Sequence, residues 1–240
     1  MITRAVVIFV SGTTLLLGES AMITEEYARM SVSDMLEVHM NNMPLLDVGT
    51  IWQSCHITHT QLKGQKRRSG GWAFEHSLLV GLHTLKNNFK ACSVGASILH
   101  DVVEDSEYTL EQIRKAFGFW RGRRIAFMVH ALTKTKGATT EEYFHQIVRA
   151  TRRCVDIIFI KLFDRLDGQE WPYDTKDSSD YLNRARSYYE ETLGEFAEMC
   201  TKCRKYIPRK LLGLFDETVN KIMELAREHL AELDTLLVAS

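Results

Sequence analysis

The chain has 240 residues, 45% of them hydrophobic and 25% charged, so one large domain, or a domain with an appendage, with ample core-forming material is expected. Thirty basic against 31 acidic residues leave a net charge of −1, which removes any global electrostatic case for nucleic-acid binding. The five cysteines are odd in number and lack framework spacing, which excludes a disulfide scaffold and suits a reducing compartment.

Arg4 followed by the apolar run Ala5 to Leu17 resembles a short secretory h-region, with Gly18, Glu19, Ser20 and Ala21 after it. The run is shorter than the roughly 18 apolar residues of a membrane span, so no membrane partner is expected. Three readings stay open: an extension preceding a true start at Met22 or Met30, a packed strand or helix, or a signal or anchor. Residues 1–30 are set apart as an N-terminal extension.

Ser31 to Met40 and Val48 to Leu62 read as helical pieces around Pro44, and Gly64 to Gly71 as a basic, glycine-bordered loop. Trp72 to Asn87 returns to a helical pattern through Phe74, Leu78, Leu79, Leu82 and Leu85. A central helix is predicted from about Cys92 to Asp105. Thr109 and Gln112 form a capping box with Gly118 as a stop, and Thr139 and Glu142 open another helix. Val155 to Phe163 is almost continuously apolar, and periodicity cannot separate buried helix from buried strand there. Two amphipathic helices follow, Tyr181 to about Arg204 and Pro208 to about Leu237. With only three prolines, the pattern predicts an all-α chain.

The chemistry concentrates in His100, Asp101, Glu104 and Asp105, bracketed by Ile98, Leu99, Val102 and Val103. On a helix, positions four apart share a face, so Glu104 falls beside His100 and Asp105 beside Asp101. Carboxylates crowded in a largely buried segment repel and are costly to desolvate unless a cation neutralises them. His76 in the preceding helix and Asp164 at the end of the apolar run add further ligand types. Imidazole and carboxylate together suit a first-row divalent metal such as Mn, Fe or Zn, and hydrolytic chemistry.

From Gln61 to about Gly168 the sequence resembles the HD-domain hydrolase of the RelA/SpoT alarmone family and its small hydrolase-only relatives. The resemblance rests on Gly64-Gln-Lys-Arg-Arg-Ser-Gly70 with the downstream His76, on Leu99-His-Asp-Val-Val-Glu-Asp-Ser106 followed by Thr109-Leu110 and Phe117-Gly118, on Leu132-Thr-Lys134, and on Lys161-Leu-Phe-Asp-Arg-Leu166. It implies an all-α HD-domain helical bundle over residues 31–204, with additional C-terminal helices and residues 205–240 packed on the domain. It implies His76, His100, Asp101 and Asp164 as metal ligands, usually for Mn²⁺, and Glu104 and Asp105 as the acidic pair that handles the attacking water. Arg67 and Arg68 match the pair that holds nucleotide and phosphates, and Lys134 is the candidate phosphate-binding lysine. Because 240 residues leave no room for the synthetase domain of bifunctional members, hydrolysis alone is the expected activity.

The implied activity is cytoplasmic hydrolysis of the 3′-pyrophosphate of the guanosine nucleotide (p)ppGpp. Two positions depart from the family pattern. Asp167-Gly168 stands where His-Asn is common, removing an amide that contacts substrate, and the tyrosine usual before His76 is replaced around Ala73. The alternatives are an HD phosphohydrolase for another nucleotide or phosphorylated metabolite, and a nucleotide-binding module without catalysis. Outside this set, the basic cluster Arg121, Arg123 and Arg124 reads as solvated surface, Tyr181, Tyr188, Tyr189 and Phe196 as packing, and Cys200 and Cys203 as core residues.

Overall fold

The structure is a computed structural model that describes residues 7–10, 13–16, 32–41, 43–67, 71–169 and 179–239. It is an all-α body preceded by one short hairpin. In that hairpin β1 (Val7–Val10) pairs antiparallel with β2 (Thr13–Leu16), Val7 opposite Leu16 and Val10 opposite Thr13.

The body begins with α1 (Val32–Met40) and α2 (Leu45–Leu62), separated by Pro44 at the start of α2. Gly64, at φ +82°, takes the left-handed conformation that ends α2 at low cost for a residue without Cβ. The chain then folds back as a narrow ribbon: Lys66 bridges Trp72, Arg67 N–H donates to Gly71 O, and Ala73 N–H donates to Gln65 O. That return launches α3 (Ala73–Lys86), followed by α4 (Ala91–Ile98).

α3 and α4 approach closely because Gly81 has no side chain: a Cβ there would lie 2.3 Å from Ile98 Cγ1. Gly95 does the same for α2 and α4, where a Cβ would meet Ser54 Oγ at 2.8 Å. Met35, Leu36, Ile51, Leu78, Leu82, Val94 and Ile98 form one apolar cluster contributed by α1, α2, α3 and α4.

The predicted continuous helix from Cys92 to Asp105 is corrected by the structure. α4 stops at Ile98, and a separate single turn, α5, runs Val102–Asp105. Side chains compensate the backbone at the break. Thr58 of α2 donates to Ile98 O at 2.7 Å, and His100 Nδ1 lies 2.7 Å from Ser97 O, taking the partners that Val102 and Asp101 N–H would supply in an unbroken helix. No glycine or proline marks this break, so periodicity passes over it.

Both capping boxes form. Thr109 and Gln112 open α6 (Leu110–Ala116), and Thr139 and Glu142 open α8 (Thr140–Thr151). Gly118, at φ +70°, ends one helix and starts α7 (Gly118–Leu132). The ambiguous apolar run is helical: α9 (Asp156–Asp167) is buried through Ile157, Ile158, Phe159, Ile160, Leu162 and Phe163, being wrapped by α3, α4, α7, α8 and the C-terminal helix. A helix covered nearly all round loses its amphipathic signature.

The predicted helix from Tyr181 to Arg204 divides into α10 (Ser179–Glu191), a π-turn at Thr192–Phe196 and α11 (Ala197–Arg204). The long α12 (Leu212–Ala239) packs back on α9, α10 and α11. Arg165 is buried with its guanidinium donating to Thr192 at 3.0 Å and Glu191 at 2.6 Å, which ties α9 to the π-turn. Among the described residues no helix is long and apolar enough to cross a membrane.

Candidate metal centre

Three parts of the fold converge on one spot. α3 brings His76 in its first turn, the α4–α5 break brings His100 and Asp101, and α9 brings Asp164. One donor atom from each of His76, His100 and Asp101 lies within 4.8 Å of the others. Asp164 Oδ1 is 3.1 Å from His76 Nε2 and 3.6 Å from His100 Nε2. Asp101 lies 3.1 Å from His100 Nε2 and 3.7 Å from His76 Nε2. The helix break is what allows this, because it turns the His100 and Asp101 side chains toward α3 and α9.

The chemistry of these donors fits a divalent cation. His100 is buried, its Nδ1 is engaged with Ser97 O, and its Nε2 faces Asp101 at 3.1 Å and Asp164 at 3.6 Å without hydrogen-bond geometry to either. A buried nitrogen without a partner is costly unless something binds its lone pair. The titration behaviour points the same way. Burial pushes the His76 imidazolium down, yet Asp167 and Asp164 outweigh it and carry the pKa up to about 9. Burial would raise the Asp164 carboxyl, but Lys161 and the two imidazoles hold it well below the usual carboxylate range. Positive charge at this spot is what these carboxylates require.

The second oxygen of Asp164 accepts from Lys161 Nζ at 2.6 Å, and that ammonium lies 5.3 Å from the centre of the Tyr143 ring. Lys161 therefore fixes the Asp164 rotamer and leaves Oδ1 toward the imidazoles. On its other side His76 donates through Nδ1 to Asp167, one turn further along α9. Asp167 is 5% exposed and also accepts from Arg67 Nη1 at 3.1 Å. The sequence pattern marks Asp167 only as the first half of the Asp167-Gly168 departure, with no role of its own. Its spacing of three residues from Asp164 on one helix face was the available signal.

The remaining expected site residues are distributed as follows. Glu104 and Asp105 are exposed on α5, which corrects the expectation of a largely buried acidic segment. Glu104 accepts from the Lys134 backbone N–H at 2.9 Å, while Asp105 O accepts from Gln65 Nε2 at 3.1 Å. Partial burial, then repulsion from Asp101 and Glu104, raises the Asp105 carboxyl to about 6. Lys134 Nζ points along its own loop to Thr140 Oγ1 at 3.4 Å. Arg67 reaches the cluster through Asp167, and Arg68 lies outside the described residues. The basic cluster on α7 is partly structural: Arg121 pairs with Asp47 at 2.9 Å and Arg124 with Asp156 at 3.4 Å.

An all-α body with a histidine–aspartate pair at a helix break, facing an aspartate on the buried helix α9, has the fold of an HD-domain helical bundle. A solved structure described as a metazoan orthologue of SpoT that hydrolyses ppGpp has the same fold, at a TM-score of 0.54 and 16% identity, covering 75% of this chain and 94% of that one. The chain is homologous to RelA/SpoT-type proteins. It is 33% identical over 109 residues to the guanosine-3′,5′-bis(diphosphate) 3′-pyrophosphohydrolase of Aquifex aeolicus, covering 43% of this chain and 15% of the relative. It is 31% identical over 110 residues to the corresponding enzyme of Haemophilus influenzae, covering 43% of this chain and 16% of that protein. A GTP pyrophosphokinase of Streptomyces coelicolor is 28% identical over 167 residues, 62% of this chain and 19% of its own. The chain thus spans less than a fifth of the length of these curated relatives. No family model matches it.

Proposed function

We propose that the chain is a metal-dependent phosphohydrolase whose substrate is a guanosine nucleotide carrying a 3′-pyrophosphate, (p)ppGpp, cleaved to pyrophosphate and GDP or GTP. The observation that carries the reading is the convergence of two buried imidazoles, His76 and His100, with the carboxylates of Asp101 and Asp164, drawn from α3, the α4–α5 break and α9. Its similarity to the pyrophosphohydrolases over this segment supplies the substrate class.

His76, His100, Asp101 and Asp164 would hold the ion; their mixed nitrogen and oxygen donors suit a first-row divalent metal, and the family resemblance points to Mn²⁺ among these. Such an ion supplies Lewis-acid chemistry, neutralising phosphoryl charge and acidifying water. The protein's own residues divide the remaining work. Asp105, whose carboxyl titrates near 6, accepts the proton of the attacking water. Glu104 has one oxygen committed to the Lys134 N–H, so it holds the Leu132–Lys134 segment against α5 and orients the water with the other. Arg67 grips the pyrophosphate, and its bond to Asp167 holds it pointed at the cluster. Lys134 lies on the segment that Glu104 anchors and adds a second cation for phosphate.

One feature favours a drifted nucleotide preference as the second reading. A Cβ at Gly168 would lie 2.3 Å from the Tyr188 hydroxyl, so this phenol occupies the direction in which the family's amide side chain would project. Purified protein incubated with Mn²⁺ and a panel of ppGpp, pppGpp and simple nucleoside polyphosphates tests both readings. Pyrophosphate release from the alarmones, absent in Asp101→Ala, is expected. Release only from another nucleotide would replace the substrate assignment, and bound nucleotide without turnover would replace hydrolysis by a binding role.

A further inference from the structure

Asp167 joins two functions that the rest of the site keeps apart. It lies on α9 three residues after Asp164, and the two carboxylates flank the His76 ring, Asp164 at Nε2 and Asp167 at Nδ1. It is 5% exposed, so its charge is compensated by the two groups it touches, His76 and Arg67. His76 belongs to the first turn of α3, and Arg67 to the ribbon that precedes it, whose return is fixed by Arg67 N–H to Gly71 O at 2.8 Å.

We infer that Asp167 is a positioning residue that sets the metal ligand His76 and the phosphate-gripping Arg67 through a single carboxylate. This inference rests on the proposed function above and deepens it. By accepting the Nδ1–H of His76, Asp167 leaves Nε2 with its lone pair toward Asp164, His100 and Asp101 and fixes the ring plane. By accepting from Arg67 with the same oxygen, it anchors the ribbon over the cluster. Metal capture and substrate capture therefore depend on one side chain, although neither the ion nor the phosphate touches it. An amide at this position keeps the shape and can still accept from His76, but it lacks the charge that balances both an imidazole and a guanidinium.

The test is titration of Mn²⁺ into metal-stripped protein by calorimetry, with thermal melting as a folding control and KM and kcat for ppGpp measured at saturating Mn²⁺. Asp167→Asn is expected to weaken Mn²⁺ binding about 10- to 100-fold and to raise KM as well. Arg67→Gln is expected to raise KM roughly tenfold while Mn²⁺ affinity stays at the wild-type value. In the double variant KM is expected to rise no further than in Arg67→Gln, because both changes remove one interaction. If Asp167→Asn melts far below wild type, Asp167→Glu keeps the charge at a longer reach and is expected to weaken Mn²⁺ binding with near-normal melting. Wild-type Mn²⁺ affinity in a folded Asp167 variant, or fully additive KM effects, overturns the inference. Failure of the wild-type protein itself to bind Mn²⁺ would instead overturn the metal reading on which it rests.

Discussion

The contact between Gly81 and Ile98 sets the spacing of α3, which carries His76, and α4, which ends just before His100, and Gly81→Ala probes it. Alanine is the better helix former by about 1 kcal/mol, so helix propensity alone predicts a stabilised protein. The packing predicts the opposite. A Cβ placed 2.3 Å from Ile98 Cγ1, with Cδ1 at 3.0 Å, overlaps a side chain that is fully buried and cannot swing into solvent. Overpacking of this severity belongs near the upper end of the usual range, about 3 kcal/mol, leaving a net loss of about 2 kcal/mol. For a domain of this size that lowers the melting temperature by roughly 4–8 °C. Because His76 lies five residues before Gly81 and His100 two after Ile98, Mn²⁺ affinity should fall with stability. Equilibrium denaturation of Gly81→Ala, Ile98→Ala and the double variant reads the coupling, and Ile98→Ala should cost at least 1 kcal/mol less in the alanine background. A Gly81→Ala protein as stable as wild type, or additive effects, would refute the close-contact argument.

Three further outcomes follow from the site and its surroundings. Gly168→Ala should destabilise by about 1–3 kcal/mol through its clash with the Tyr188 hydroxyl, and Tyr188→Phe should rescue part of that loss in thermal melts. The half-buried His83, stacked on Phe163, has its pKa pushed down to about 4 by burial. The unfolded chain therefore binds the extra proton between about pH 6.5 and 4, and stability is lost as pH falls through that window. The full shift corresponds to about 3 kcal/mol, discounted to about 2 for partial exposure, and His83→Phe should flatten denaturation curves by that amount. Asp105, raised to about 6, must be ionised to accept a proton, so the hydrolysis rate should fall as pH drops through and below that value. Asp105→Asn should lower kcat by about 10²- to 10⁴-fold and remove the inflection.

The sequence carried the helix starts at Thr109 and Thr139, because a capping box is a local device whose two halves lie three residues apart. It carried the four candidate ligands, because histidine and aspartate among apolar neighbours are conspicuous. It did not carry the break between α4 and α5, which is stabilised by Thr58, a residue 40 positions away in sequence from the carbonyl it caps. Nor could periodicity decide α9, since burial on nearly every side erases the stripe that identifies a helix. Asp167 escaped for a related reason. Its partners His76 and Arg67 are 91 and 100 residues distant, so its role exists only once α9 is laid against α3. Glu104 and Asp105 follow His100 and Asp101 closely in the sequence, but their exposure follows from α5 being a single separate turn.

Anomalous diffraction at the manganese edge, from crystals of the protein grown with Mn²⁺, tests the arrangement most directly. A single peak bonded to Nε2 of His76 and His100 and to carboxylate oxygens of Asp101 and Asp164 is predicted. A peak elsewhere, or none at these four side chains with Mn²⁺ in excess, would contradict the metal centre and the hydrolysis built upon it.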